Sequence, residues 1–225
     1  MNAVGVIFDM DGVLVDSAAA HERAWQQLGN EVGTPFGRAL FQQTFGQRNA
    51  SIIPAWLGAV TAARFQELDL RKEELYRQGV RAGAIRVYAR IPELLAELHA
   101  CGVRVAIASS GPRANVALLV DTIGAHALVD ASVAADDVSE GKPHPEAFLR
   151  AAGRLHLPPS QCAVVEDSIH GIEAAKRAGM LAVAVLTSTP RDRLVAAGAD
   201  AIVDEVGALQ ASQLVQLIAA QRPAG

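Results

Sequence analysis

Six short runs of apolar, largely β-branched residues constrain this chain more than any other feature. They cover residues 4–8, 103–108, 129–133, 163–165, 181–185 and 201–203, and a small or polar break follows each. Helix-period patterns occupy 92–100, 112–123, 145–155, 171–178 and 191–197. Strand–helix alternation predicts a parallel sheet with helices on both faces. The near-continuous apolarity of the runs agrees, because parallel strands are buried on both sides. A length of 225 residues with 51% hydrophobic content suits a large core carrying a modest insertion.

The alternation fails in one place. From about 17 to 86 there is no convincing strand, only amphipathic helical segments around Trp25, Phe45, Trp56 and Tyr76. A helical insertion directly after the first strand is the simplest reading, with linkers near 15–17 and 86–90. The expected domains are 1–16 joined with 87–225, and 17–86.

Charge narrows the function classes. The 20 Lys+Arg against 24 Asp+Glu leave a formal net charge of −4, which offers no footprint for nucleic acid or an anionic membrane. A local pocket can still be basic and take an anionic small molecule. Cys101 and Cys162 are too few and too far apart for a disulfide framework or a zinc site. The run at residues 3–8 follows Met1-Asn2 without a basic segment and reads as a strand, not a secretory signal. The Ala- and Leu-rich stretches are broken by charges before they reach spanning length. A cytoplasmic enzyme, monomeric or weakly homodimeric, is the expectation.

In a parallel sheet, functional groups gather at the C-terminal ends of the strands. Those ends read Asp9-Met10-Asp11-Gly12, Ser109-Ser110-Gly111 and Glu166-Asp167-Ser168, with the loop Gly141-Lys142-Pro143-His144-Pro145 before the third. Paired carboxylates, a hydroxyl, a lysine and a second acidic pair suit phosphate held by a divalent cation. Asp9 can attack phosphorus, and a carboxylate two residues on can protonate the leaving oxygen and then activate water. Equally, the Asp pair can serve turn and cap hydrogen bonds at a strand end. Asp167 can hold a metal or cap the following helix, and Ser109 can contact a phosphoryl oxygen or act as an N-cap. Lys142 can neutralise the phosphoryl group or be an ordinary solvated loop lysine. His144 and His170 read as structural or exposed. An EF-hand is excluded, because it needs helical flanks and its Gly at the sixth loop position.

Taken together, these residues resemble the haloacid dehalogenase superfamily. Its four signatures appear in family order as Val6-Ile7-Phe8-Asp9-Met10-Asp11-Gly12-Val13-Leu14, Ser109, Lys142 within Gly-Lys-Pro-His-Pro, and Glu166-Asp167 within Val-Val-Glu-Asp-Ser. The resemblance implies an α/β fold: a Rossmann-like core with a parallel sheet and an inserted helical cap. It implies Asp9 as nucleophile, Asp11 as acid/base, and Ser109 and Lys142 as further catalytic groups. Magnesium is the implied cofactor, held by Asp9, the Asp11 backbone carbonyl and Asp167, with Glu166 counted in the metal site.

Within the superfamily the chain is similar to the β-phosphoglucomutase and sugar-phosphatase branch. His21-Glu22-Arg23-Ala24-Trp25, Phe45-Gly46-Gln47-Arg48 and Lys72 four residues before Tyr76 carry that likeness. It makes His21, Trp25, Gly46, Arg48, Lys72, Ser110 and Arg113 candidate substrate contacts. Read as helix surface instead, His21 and Arg48 are solvated, Trp25 is a packing residue, and Lys72 belongs to the solvated run Arg71-Lys72-Glu73-Glu74. Asn49 after Arg48, and Ser109-Ser110-Gly111-Pro112-Arg113, depart from the mutase pattern. The expected activity is therefore a magnesium-dependent phosphatase of small phosphorylated metabolites acting through an aspartyl-phosphate. The alternative is β-phosphoglucomutase chemistry. Carbon–halogen hydrolysis has no use for Asp11, and a purely regulatory module has no use for an intact catalytic set.

Overall fold

The computed structural model describes residues 3–221, which divide into two compact units, 3–15 with 87–221 and 16–86. The first unit holds six parallel strands: β1 (Gly5–Phe8), β4 (Arg104–Ala108), β5 (Ala131–Val133), β6 (Cys162–Glu166), β7 (Leu181–Val185) and β8 (Ala201–Val203). Their spatial order is β5-β4-β1-β6-β7-β8, so β1 is central. Phe8 pairs with Ile107 on one side and Val165 on the other, which brings the ends of β1, β4 and β6 level. Glu166 in turn pairs with Ala184 of β7. Sequence-distant loops therefore open at one edge of the sheet.

The four inner strands of this sheet are buried on both faces, as their apolar runs require, while the edge strands β5 and β8 are partly exposed. Ile7, Ala106, Val164 and Ala182 join one buried cluster with Phe148 and Ala151 of α7 (Glu146–Arg154) and Ile172 of α8 (Ile169–Arg177). The alternate residues Val6, Phe8, Val105, Ile107 and Val165 are also fully buried. On β4 and β6 pack α5 (Ile91–Ala100) and α10 (Ala211–Ala220). The two remaining helices of this unit are α6 (Arg113–Ile123) and α9 (Arg191–Ala196).

The second unit consists of α1 (Ala18–Val32), α2 (Arg38–Thr44), α3 (Asn49–Leu57) and α4 (Ala62–Arg81). It is helical, as the sequence predicts. Trp25, Phe36 and Trp56 form its aromatic centre, with Trp25 and Phe36 stacked at 4.9 Å. Thr61 caps α4 by accepting a hydrogen bond from the Arg64 N–H.

Three features differ from the sequence reading. Two-residue strands, β2 (Val15–Asp16) and β3 (Arg86–Val87), pair in the linkers and are too short to carry a periodic signal. Only 131–133 of the run at 129–133 is strand. A 3₁₀ turn at His126–Leu128 precedes it, and Asp130 accepts from the Val105 N–H while pairing with Arg104. Helix α10 lies beyond the patterns read as helical.

Candidate active site

The turn after β1 is wound tightly. The Gly12 N–H donates to the Val15 carbonyl, and the Leu14 and Val15 N–H groups both donate to the Met10 carbonyl. Gly12 adopts φ +85°, a conformation natural to glycine. A second reason excludes a side chain here: a Cβ on Gly12 would lie 2.0 Å from Asp167 Oδ2. The turn thus brings Asp9 (7% exposed) and Asp11 (half-buried) up against the acidic pair that ends β6.

Lys142 joins these groups. Its Nζ donates to Asp9 Oδ1 at 2.5 Å, to Glu166 Oε1 at 2.7 Å and to the Ala108 carbonyl at 3.3 Å, with the Phe148 ring 4.9 Å away. Its side chain is 7% exposed, so it is no solvated loop lysine. The loop is shaped for this reach: Glu146 accepts from the Ser139 and Glu140 N–H groups, and Arg177 donates to the Pro143 carbonyl.

Glu166 is fully engaged. Its Oε1 meets Lys142, while its Oε2 accepts from the Asp167 and Ser168 N–H groups at 2.8 and 2.7 Å. Helix α8 passes so close that a Cβ on Gly171 would fall 1.8 Å from the Glu166 carboxyl carbon. Ser168 caps α8 by accepting from the Gly171 N–H. The capping role open to Asp167 in the sequence is thus taken by its neighbour, which leaves the Asp167 carboxylate to the site. Ser109 is buried, its N–H donating to Val133 and its Oγ accepting from the Gly111 N–H.

The electrostatics follow from this crowding. Burial, reinforced by Glu166, pushes Asp167 up to about 7. Asp9 is driven well above the usual carboxylate range, first by burial and then by Glu166, Asp167 and Asp11, against the pull of Lys142. Burial also opposes the Lys142 charge, but Asp9 and Glu166 outweigh it and hold the ammonium above its ordinary value. With one cation among four carboxyl groups, Asp9 and Asp167 ionise only against the crowding that their raised values reflect. Among the described residues no three His, Cys, Asp or Glu side chains gather closely enough to cage an ion. Magnesium does not need such a cage: it binds hard oxygens and keeps several waters, so two carboxylates and a carbonyl fit it.

The structure disposes the remaining candidates differently. Ser110 and Gly111 lie half-buried in the turn after β4. Arg113, expected to meet substrate, has its guanidinium held by Asp137 at 2.7 Å and its N–H by Asp136. Asp137 also accepts from Arg154 and the Ala134 N–H, and these partners hold it well below the carboxylate range.

In the helical unit Gly46 is exposed with φ +83°, and Arg48 is half-buried at the start of α3. Lys72 is 3% exposed, so it does not lie on the solvated face that the charged run suggests. Its Nζ bonds Glu73 at 2.7 Å and His21 Nδ1 at 3.0 Å and lies 5.4 Å from the Trp25 and Tyr76 ring centres. His21 stacks on Tyr76 at 3.8 Å, and Asn49 donates to both Asp69 and Glu73. Trp25, 2% exposed, is a packing residue of this unit. His144 and His170 are exposed.

Sequence reasoning missed two residues of the loop after β7. Thr187 Oγ1 lies 2.5 Å from the Gly12 carbonyl oxygen and 3.3 Å from Asp167 Oδ2, and Ser188 Oγ donates to the Asp167 carbonyl. Their position after an apolar strand was the available signal. Gly171, a glycine inside a helical pattern, was the signal for the close approach to Glu166.

Comparison with known proteins bears on this geometry. A family profile of haloacid dehalogenase-like hydrolases matches residues 4–179. The chain is 34% identical to β-phosphoglucomutase of Bacillus subtilis, covering 91% of this chain and 90% of that protein. It is 31% identical to validoxylamine A 7'-phosphate phosphatase of Streptomyces hygroscopicus subsp. limoneus, covering 85% and 89%. The crystal structure of β-phosphoglucomutase from Clostridium difficile superposes with a TM-score of 0.86 at 22% identity, covering 97% and 98%.

Proposed function

The chain belongs to the haloacid dehalogenase-like hydrolases, and from that premise we propose a magnesium-dependent phosphatase of small phosphorylated metabolites, sugar phosphates or similar. It is an enzyme of the phosphoric monoester hydrolase or phosphomutase kind. The observation that carries the reading is the buried Lys142 ammonium joining Asp9 to Glu166 beside Asp167.

A carboxylate oxygen of Asp9 attacks phosphorus while the bond to the leaving oxygen breaks, forming an aspartyl-phosphate. Asp11 gives its proton to the departing alcohol. It then takes a proton from water, which attacks the phosphoryl group and returns Asp9 as a carboxylate. Lys142 stabilises charge on the phosphoryl oxygens, and Ser109, whose oxygen already accepts from Gly111, keeps its own proton to donate. Asp9, Asp167 and the Asp11 carbonyl would hold magnesium, which when bound supplies charge neutralisation and Lewis acidity toward the phosphoryl group. Glu166, expected among the metal ligands, we assign to orienting Lys142, because both its oxygens are engaged.

Residues 17–86 act in this reading as a cap that selects the leaving group, with His21, Gly46 and Arg48 as its candidate substrate contacts. Lys72 and Trp25 hold that unit together. Hydrolysis is preferred over mutase transfer because the second-motif loop, Ser109-Ser110-Gly111-Pro112-Arg113, departs from the mutase pattern. The partner is a small phosphorylated metabolite, not nucleic acid or membrane, and the protein works in the cytoplasm as a monomer or weak homodimer. No helix among the described residues is long and apolar enough to cross a membrane.

Asp9→Asn tests the reading: an amide of nearly the same shape cannot accept the phosphoryl group. Phosphate release from a panel of sugar phosphates should vanish in the variant and, in the parent, on adding EDTA. Turnover that survives both changes would defeat the nucleophile and metal assignments together.

A further inference from the structure

Three loops separated in sequence meet at one hydroxyl. Thr187 Oγ1 lies 2.5 Å from the Gly12 carbonyl oxygen and 3.3 Å from Asp167 Oδ2. A hydroxyl carries one proton, so the shorter contact takes it and the Gly12 carbonyl is the acceptor. Adjacent Ser188 donates to the Asp167 backbone carbonyl at 3.0 Å, so the same loop ties Asp167 through its backbone and sets the Thr187 oxygen beside its carboxylate. The approach it spans is close enough that Gly12 has no room for a Cβ against Asp167 Oδ2. Holding the Gly12 carbonyl also holds the preceding peptide, which carries the Asp11 carbonyl.

We propose that Thr187 is a positioning residue for divalent-cation binding, holding the Asp11–Gly12 backbone at the spacing from the Asp167 carboxylate that the ion requires. The inference rests on the metal reading above. Residues that orient metal ligands typically govern affinity by about 10- to 100-fold without touching the ion. Neither an apolar side chain nor a vacancy at 187 can replace the hydroxyl. Serine can, because the tether needs Oγ and not the methyl group.

The experiment titrates magnesium chloride calorimetrically into substrate-free full-length protein, for the parent, Thr187→Val, Thr187→Ala and Thr187→Ser. Melting midpoints in EDTA are measured alongside. The expected result is a loss of about tenfold or more in magnesium affinity for Val and Ala. Ser should stay near the parent, and all four midpoints in EDTA should be similar. Parent-like affinity in Val and Ala overturns the proposal. So does an equal loss in Ser that tracks a fall in the EDTA midpoint, which would assign Thr187 to methyl packing. If the parent itself binds no magnesium, the metal reading fails, a result distinct from both.

Discussion

Each unit of this protein buries a lysine against a glutamate at the same distance, 2.7 Å, yet the two pairs have different consequences. Around Lys72 the charges close on themselves: Glu73 answers the ammonium, Asn49 donates to Glu73, and His21 and two aromatic faces fill the remaining space. Around Lys142 they do not close: one ammonium is shared between Asp9 and Glu166, Asp11 and Asp167 crowd the same cluster, and Asp9 and Asp167 are pushed up in pKa. A satisfied buried pair holds an element in register, whereas carboxyl groups crowded around one cation mark a candidate functional site. The difference lies in how many carboxyl groups share the cation, not in the lysine.

Five substitutions can break or sharpen this contrast. Lys142→Met should lower kcat on the order of 10³-fold, since it removes the fixed cation beside the reacting carboxylate. Some stability should be lost as well, because Asp9 and Glu166 lose their buried cation. Retention of a tenth of parental kcat would erase the distinction between the two lysines. Lys72→Met should cost stability while sparing kcat. It strands Glu73 without its cation and should cost about 3 kcal/mol of stability in urea denaturation. Lys72→Met/Glu73→Gln should recover most of that loss, and a double variant no more stable than the single would show that the pair is not a unit.

Gly171→Ala comes next. The methyl group collides with the Glu166 carboxylate, so Lys142 loses its orienting partner, and kcat should fall by about 10²-fold with KM changed much less. An unaffected kcat would show that Lys142 is held by Asp9 alone. The smallest effect belongs to Asp137→Asn, in a cluster whose Arg113 and Arg154 side chains are 61% and 38% exposed. At neutral pH the loss should be about 1 kcal/mol. Folding lowers the Asp137 pKa below its ordinary 3.8, so its contribution is complete above that value and fades as pH falls through and below it. The stability gap between parent and variant should therefore narrow between about pH 6 and about pH 3. A gap that widens on acidification would contradict the sign.

How far the sequence reaches can be judged residue by residue. It alone determined the parallel sheet, the helical stretch after β1, and the placement of Asp9, Asp11, Ser109, Glu166 and Asp167 at strand ends. Each of these follows from a local period and from where the period stops. It could not determine which charges are buried. The run Arg71-Lys72-Glu73-Glu74 looks uniformly solvated, but Arg71 and Glu74 pair on the exposed face while Lys72 and Glu73 turn inward to His21 of α1 and Asn49 of α3. Lys142 likewise looks like an ordinary loop residue until the loop before α7 lays it between Asp9 and Glu166. Thr187 gains its meaning only from Gly12, 175 residues away in the chain. Backbone period is a property of neighbours in sequence. Whether a charge is paired, crowded or left in surplus depends on neighbours in space, and only the tertiary structure supplies those.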